Sequence, residues 1–574
     1  MNMFYPKIEL FFYILIFNLL TTITVNAATI PVISITELKN AISNSKAGDV
    51  ITLADGIYLN TSLTISKSNI TIKAATPGGV FLNGTNDINI NGNFIVFSGF
   101  QFTSGDIGLS TVIEVNGNNN VLTQLNFSDY YAQKYIKIKA GTKYNEITYS
   151  NIEKKPAAAE LGCTIQISTS PTVIGYHKIR YCSFKDFYGL GGDYGNEPIR
   201  IGLGAEYLNV SRTIVENCYF DNTGLGDSES ISIKCQENVV RFCTFTNQQD
   251  AMLVFRNGDN NVAYSNFFIN AGGIRVKEAN NIFCYNNYFE NSIDAIIYIY
   301  VTPLVPPTVL SPRTSNLNNI NFIHNTFYNC GDIDMGGTGA TNNTWANNIF
   351  QKSSRAIFSN PNLGTTWVGN IYQGTLGITI ASGMEDKDPI LSTNGDGYKG
   401  LSVGSPAIDA ASSSYPAILD IPLTDDDPNL LFDTGRKSRP ATITLKDVGS
   451  DEFTTGVTTN RPLVLSEVGP SYLGGPSLSI STNELLDNKH TIAIFPNPAS
   501  TSFSVETSVT IGELVKVAIY NLNGQLVKKD SDFQKKSSTS QNNQYDVSDL
   551  NNGIYFVKVA SESDSRTLKL IIKR

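Results

Sequence analysis

Residues 241–289 read RFCTFTNQQDAMLVFRNGDNNVAYSNFFINAGGIRVKEANNIFCYNNYF. Three blocks in this stretch, RFCTF, YSNFF and YNNYF, share one form: a terminal Phe with Cys or Asn two residues before it. Their last residues, Phe245, Phe268 and Phe289, are 23 and 21 apart. Between them run short alternating segments, MLVF and IRVK, bounded by Gly, Asn and Asp. That is strand patterning punctuated by turns. The block recurs in both directions. RYCSF ends at Phe184, ENCYF at Phe220, HNTF at Phe327, NNIF at Phe350 and GNIY at Tyr372. Weaker copies end at Phe102, Phe127 and Ile152. The steps from Phe102 to Tyr372 are 25, 25, 32, 36, 25, 23, 21, 38, 23 and 22 residues. Most equal one short coil, and the three long ones equal a coil plus an inserted loop.

A repeat of this length built from strands is the signature of a solenoid. One coil cannot bury its apolar face alone, whereas stacked coils bury a continuous core with like residues on like. Phe184, Phe220, Phe245, Phe268, Phe289, Phe327 and Phe350 are therefore expected to form an internal aromatic stack. Cys182, Cys218 and Cys243 fall in one column, continued by Asn266, Asn287, Asn325, Asn348 and Asn370. The cysteines read as small buried residues, with disulfides between adjacent coils as the alternative. The Asn side chains are expected to bond to one another and to the turn backbone. The expected fold class is all-β: a right-handed parallel β-helix, a solenoid, over about residues 28–400. The irregular stretch 400–470 is expected to pack on the end of the helix and complete one domain, 28–470. A linker follows at 471–488. Residues 489–574 alternate apolar and polar, as in VKVAIYNLNGQLV, which reads as a small C-terminal β-sandwich.

The 574 residues carry a formal net charge of −9 and a pI near 5.1, so nothing points to nucleic acid as the partner. His177, His324 and His490 are the only histidines and are scattered, which leaves little for a histidine-based mechanism. The N-terminus has one lysine, an apolar run at 10–20 and the small-x-small site Val25-Asn26-Ala27. This reads as a signal peptide, 1–27, rather than a membrane anchor, so the mature protein is exported with no transmembrane segment.

Residues 226–235 read GDSESISIKC. Lys234 precedes Phe245 by 11, Arg256 precedes Phe268 by 12 and Lys277 precedes Phe289 by 12. Three cations thus stack at the end of one strand on successive coils, about 4.8 Å apart. Like charges so close repel unless an anion lies across them. The plainer reading is a solvated edge with splayed side chains. Asp227 and Glu229 tip the balance, because they place carboxylates at the start of the same strand. One coil earlier, DYGNEPIRIG at 193–202 adds Asp193, Asn196, Glu197 and Arg200. Carboxylate and amide oxygens suit a hard divalent ion such as Ca2+, and no Cys/His cluster favours zinc.

Such a site fits β-elimination in a polyuronate, where the C5 proton beside a carboxylate must be removed. A cation neutralises that carboxylate. A lysine can act as base once neighbouring positive charge lowers its pKa. Arg256 is too weak an acid to give up its own proton and serves as a donor to the leaving oxygen. Hydrolysis, the rival reaction, needs two carboxylates flanking the scissile bond, whereas Asp227 and Glu229 lie on one side. A non-catalytic β-helical glycan-binding protein or adhesin is the remaining alternative.

The chain resembles polysaccharide lyase family 6, the alginate lyases and chondroitinase B-like enzymes, over roughly residues 30–470. The resemblance rests on AGDVITLADGIY, ITIKAATPGGVFLNG, NEPIRIG, ESISIKCQENVVRFCTF, FRNGDNNVAYSNFF, GGIRV, VGSPAIDAA and KDVGSDE, in that order. It implies Lys234 as Brønsted base and Arg256 as acid or leaving-group partner. It implies Glu229 and the acid two residues before it as calcium ligands, with an asparagine from the preceding coil. Two departures stand out. Asp227 occupies a glutamate position, and the family asparagine falls at Tyr194, so Asn196 is taken as the ligand, with Asp193 as the other choice. Arg275, Arg200 and Lys277 are assigned to substrate carboxylates, an ion pair with Glu197 being the other role for Arg200. The resemblance makes the partner an anionic polysaccharide, alginate before chondroitin or dermatan sulfate. The loop at 301–312, VTPLVPPTVLSP, is a candidate for closing one end of the cleft. The C-terminal segment resembles the sorting domain of the type IX secretion system, through IFPNPAS, YNLNGQLV, DVSDLNNGIYFVKV and TLKLIIKR. This implies the type IX secretion machinery as a second partner and a secreted or cell-surface location.

Overall fold

Each coil inferred from the aromatic repeat contributes a strand to three long parallel sheets, here sheets 1, 2 and 3, with 15, 12 and 14 strands. The computed structural model describes residues 27–574. Exceptions are 158–161, 190, 191, 193, 194, 249, 250, 293, 300–316, 363, 381, 424–431, 441, 455, 478–491, 508–513, 522–525, 530–532, 535–542 and 561–564. The signal-peptide reading up to residue 26, Asp193, Tyr194 and the loop at 301–312 fall outside the described residues. The architecture is a parallel β-solenoid of about 12 turns.

The ladders form as the repeat requires. Phe184, Phe220, Phe245, Phe268 and Phe289 stack face to face with centroids 4.7–4.8 Å apart and rings within 7° of parallel. That spacing is the strand spacing itself, so every added coil adds one ring contact. The Asn column closes the adjacent corner. Asn266 Nδ2 donates to Asn287 Oδ1 at 3.0 Å and Asn287 Nδ2 to Asn325 Oδ1 at 3.1 Å. Each also bonds to backbone, as Asn266 Nδ2 does to Val240 O at 3.0 Å. The residue before each ladder position takes a positive φ, 53–55° at Phe242, Ser265, Asn286, His324 and Asn347. Asn at several of these turns suits that backbone. All seven cysteines are free and buried, which removes the inter-coil disulfide alternative.

At the first coil an amphipathic helix, Ile35–Asn44, covers the open strand edges with Leu38 and Ile42. Ser34 Oγ caps it by accepting from Glu37 N. An uncovered solenoid end would template aggregation.

The described residues of 398–475 do not stay at the end of the helix, as the sequence suggested: Leu401, Ala407 and Ala411 pack on Ile349 and Ile371 of the last coils, and other parts run back along its flank. Tyr398 lies against Phe267 and Tyr288 on the outside of sheet 3. Ile421 and its neighbours cover Val239, Phe242, Val262 and Tyr264 on the outside of sheet 1. In the corner between, Arg439 Nη2 donates to Asn286 Oδ1, and farther back Gly469 N donates to Tyr181 O and Ser471 N to Gln124 Oε1. KDVGSDE serves this segment: Asp451 pairs with Lys437 at 2.7 Å and Glu452 with Arg439 at 2.7 Å, all buried. The physical reason is the apolar outer face of sheet 1, which needs a cover.

Beyond residue 491 the strands are antiparallel, in sheets of three and five. They enclose a separate core that includes Phe503, Val505, Val517, Val557 and Leu570, consistent with a β-sandwich. No helix of the described residues is long and apolar enough to cross a membrane.

Candidate active site

Sheet 2 carries the site on four consecutive strands: Asn196–Ile201, Glu229–Ile233, Met252–Arg256 and Ile274–Lys277. Their registers pair Ile201 with Ile233, Ile233 with Phe255, and Arg256 with Lys277. Lys234, one residue past Ile233, therefore lies beside Arg256. The structure brings the three stacked cations together as the coil alignment required.

The acids need one more device. In a regular strand Glu229 would share the core face with Ile231 and Ile233. A β-bulge intervenes: Glu229 pairs with Met252 but Ile231 with Leu253, which leaves Ser230 as the extra residue. The bulge reverses the alternation, so Glu229 joins Ser232 and Lys234 on the outer face. Ser230 Oγ is held by Gln248 Oε1 at 3.0 Å. Glu229 Oε1 accepts from Arg256 Nη1 at 3.1 Å, in a pair whose side chains are 2% and 14% exposed.

Glu197, Asp227 and Glu229 are all buried and bring one carboxylate oxygen each within 4.8 Å of one another. The sequence placed Glu197 in the polar cluster suited to a divalent ion and beside Arg200, but did not assign it as a metal ligand. The signal that could have found it is its place one coil before Glu229. Asp227 Oδ2 accepts from Gly195 N at 2.6 Å and Oδ1 from Glu229 N at 3.0 Å. Burial, then the charges of Glu197 and Glu229, push the Asp227 carboxyl up to about 8. Asn196 turns Nδ2 toward Pro156 O and Tyr188 O, both at 3.3 Å. Its Oδ1 and Glu229 Oε2 are buried without a hydrogen-bond partner among the described residues. Crowded carboxylates, orphaned buried oxygens and an oxygen-only donor set fit a hard divalent cation.

Lys234 is 8% exposed, and its ammonium has no hydrogen-bond or ion-pair partner among the described residues. Burial and then the Arg200 charge hold it below the usual lysine range, with Arg256 acting the same way and Glu197 and Glu229 opposing. Arg200 is committed to protein: it bonds Glu197 through Nε at 3.0 Å and Nη2 at 2.5 Å, and Gly162 O at 2.6 Å. Arg275, unlike Arg200, makes one bond among the described residues, across two coils, Nη1 to Ser228 Oγ at 3.2 Å, and its Nε has no partner among them. Sequence reasoning did not find Ser228, whose position between two acids carries no signal of its own. A buried lysine that holds its proton less tightly than usual, beside an arginine and a carboxylate cluster, can remove a carbon-bound proton next to a carboxylate.

Residues 32–377 match the chondroitinase B family. The chain belongs to that family. Residues 493–573 match the secretion system C-terminal sorting domain. Among solved structures, the chain resembles the polysaccharide lyase family 6 alginate lyase AlyGC at 21% identity and a TM-score of 0.57. The match covers 68% of this chain and 59% of that one, so this chain spans under two thirds of that protein. Alginate lyase AlyF-OU02 matches at 18% identity and TM-score 0.54, over 68% of this chain and 93% of that one. A mannuronic acid-specific family 6 lyase from human gut microbiota matches at 21% identity and TM-score 0.50, over 61% and 86%. At these identities the solved structures establish a shared fold. No curated protein matches the chain.

Proposed function

We propose that this member of the chondroitinase B family is an exported lyase that cleaves a uronate-containing polysaccharide, alginate foremost, by β-elimination. The observation that carries the reading is Lys234: buried, unpaired among the described residues, depressed by its surroundings and in register with Arg256. The anionic chain lies across sheet 2, its carboxylates held by Arg275 and Lys277. Neutral Lys234 Nζ takes the C5 proton of the uronate. The C5 electron pair forms the C4–C5 double bond and the C4–O4 bond breaks. Arg256 donates a hydrogen bond to the departing O4, which takes its proton from water. Glu229 orients Arg256 through their 3.1 Å contact. A calcium ion held by Glu197, Asp227, Glu229 and Asn196 would neutralise the carboxylate beside C5 and so acidify its proton.

The family match favours chondroitin or dermatan sulfate as the second substrate class. The sorting domain supports export through type IX secretion. The test is the ultraviolet absorbance of the unsaturated product on mixing with alginate, chondroitin sulfate and dermatan sulfate. A rise with one of them is expected. No rise with any of the three leaves only the glycan-binding reading.

A further inference from the structure

We propose that Lys134, Lys137 and Lys139 form a distal anion-binding lane. A long polyuronate would then run from Lys234 toward the N-terminal coils of the solenoid. This rests on the reading that the substrate is a polyuronate.

The registers of sheet 2 place the lane. Lys137 pairs with Gln166, Gln166 with Arg200 and Arg200 with Ser232, one unbroken column on the face that carries the site. Lys139 follows Ile138, whose column runs through Ile167 and Ile201 to Ile233, so Lys139 is aligned with Lys234. Lys134 begins the same strand, Lys134–Ile138. That strand is three places from Glu229–Ile233 in the sheet order. At the strand spacing the lane is therefore ~14 Å from Lys234. A 1,4-linked uronate unit is comparable in length to one strand spacing, so successive carboxylates meet successive coils.

The opposite direction is different. Past Arg275 the same column continues to Ile297 and Asp334, and Lys277 pairs with Ile299. The sheet 2 strands beyond Ile274–Lys277, namely Ile296–Ile299, Ile333–Asp334 and Phe358–Ser359, carry no cation. Cationic sheet positions thus extend to one side of the catalytic strands only.

Charge supports the lane. The protein carries a net −9, so a cluster of lysines on one sheet face is a local exception, of the kind that steers a polyanion. Lys137 and Lys139 share one carboxylate oxygen, Glu114 Oε1, at 3.4 and 3.3 Å. Among the described residues, one acid for two ammonium groups leaves a surplus positive charge, and Lys134 adds a third cation whose bond there is to the neutral Gln133 Oε1 at 2.7 Å. The Lys137 and Lys139 side chains are 29% and 41% exposed. Exposed pairs of this kind are weak, so a substrate carboxylate can replace Glu114.

The test is Lys137→Gln/Lys139→Gln, assayed on polymeric alginate and on an alginate tetramer. Lys39→Gln/Lys73→Gln, which removes the same charge from the capping helix and from sheet 1, is the control. The expected result is a KM on polymer raised about three- to tenfold, the scale of one or two weak charge contacts. kcat/KM on the tetramer should change by less than twofold, and the control should match wild type on both. Equal effects on polymer and tetramer, or no effect on either while wild type cleaves alginate, overturn the lane. Wild-type protein that neither binds nor cleaves alginate overturns the polyuronate reading and the lane with it.

Discussion

Replacing Lys234 by methionine separates chemistry from stability. Methionine keeps the length of the stem and its apolar contacts but removes the ammonium. If Lys234 is the base, kcat falls by roughly 10²–10⁴-fold, the usual contribution of a positioned general base. That corresponds to about 3–5 kcal/mol of barrier. Stability should move the other way or not at all. The folded-state pKa of Lys234 lies below its ordinary 10.5, mainly through burial and then Arg200. The native state therefore holds this proton less tightly than the unfolded chain does. Below the folded pKa the charged lysine destabilises the fold. As pH rises from the folded pKa to 10.5 that penalty disappears. Lys234→Met should thus match or exceed wild-type Tm at neutral pH, and its advantage should shrink toward pH 10.5. Product absorbance gives the rate, and thermal denaturation across pH gives stability. Retention of a tenth or more of wild-type kcat would refute Lys234 as base. A lowered Tm at every pH would refute an unpaired buried ammonium and assign the residue a structural role.

Calcium should raise Tm through preferential binding to the folded state, and Asp227→Asn or Glu229→Gln should abolish the shift; an unchanged shift in both variants rejects the carboxylate cluster as the ion site. Glu229→Ala leaves Arg256 buried without its partner and should cost about 3–5 kcal/mol in chemical denaturation, whereas a loss near zero would mean that Arg256 finds water. Phe245→Ala removes a ring stacked at 4.7 Å on both Phe220 and Phe268 and should cost about 3–5 kcal/mol, with Phe245→Leu costing less. His177 is buried and neutral, its Nδ1 accepting from Asn145 N at 3.2 Å, and burial pushes it down to about 3 from 6.5. Its contribution is complete above pH 6.5 and is lost by about 1.4 kcal/mol per unit as pH falls toward 3; a His177→Gln variant with the same acid limb as wild type contradicts this.

The repeat in residues 241–289 determined most of the fold, because in a parallel solenoid each strand pairs with the one a single coil later. Sequence period and spatial register are then the same quantity. For that reason the stacking of Lys234, Arg256 and Lys277 could be read by subtraction, as could the Phe and Asn ladders. Three things depended on tertiary structure. The bulge at Ser230 decides which face Glu229 occupies, and strict alternation would have buried that carboxylate in the core. Glu197 joins Asp227 and Glu229 through proximity between coils, and nothing in NEPIRIG distinguishes that role from a pair with Arg200, which it also makes. The path of residues 398–475 along the flank is set by the apolar outside of sheet 1, a long-range complementarity without period. Periodic contacts are written locally in the chain; a bulge, a shared charge cluster and a returning segment arise only when distant residues meet.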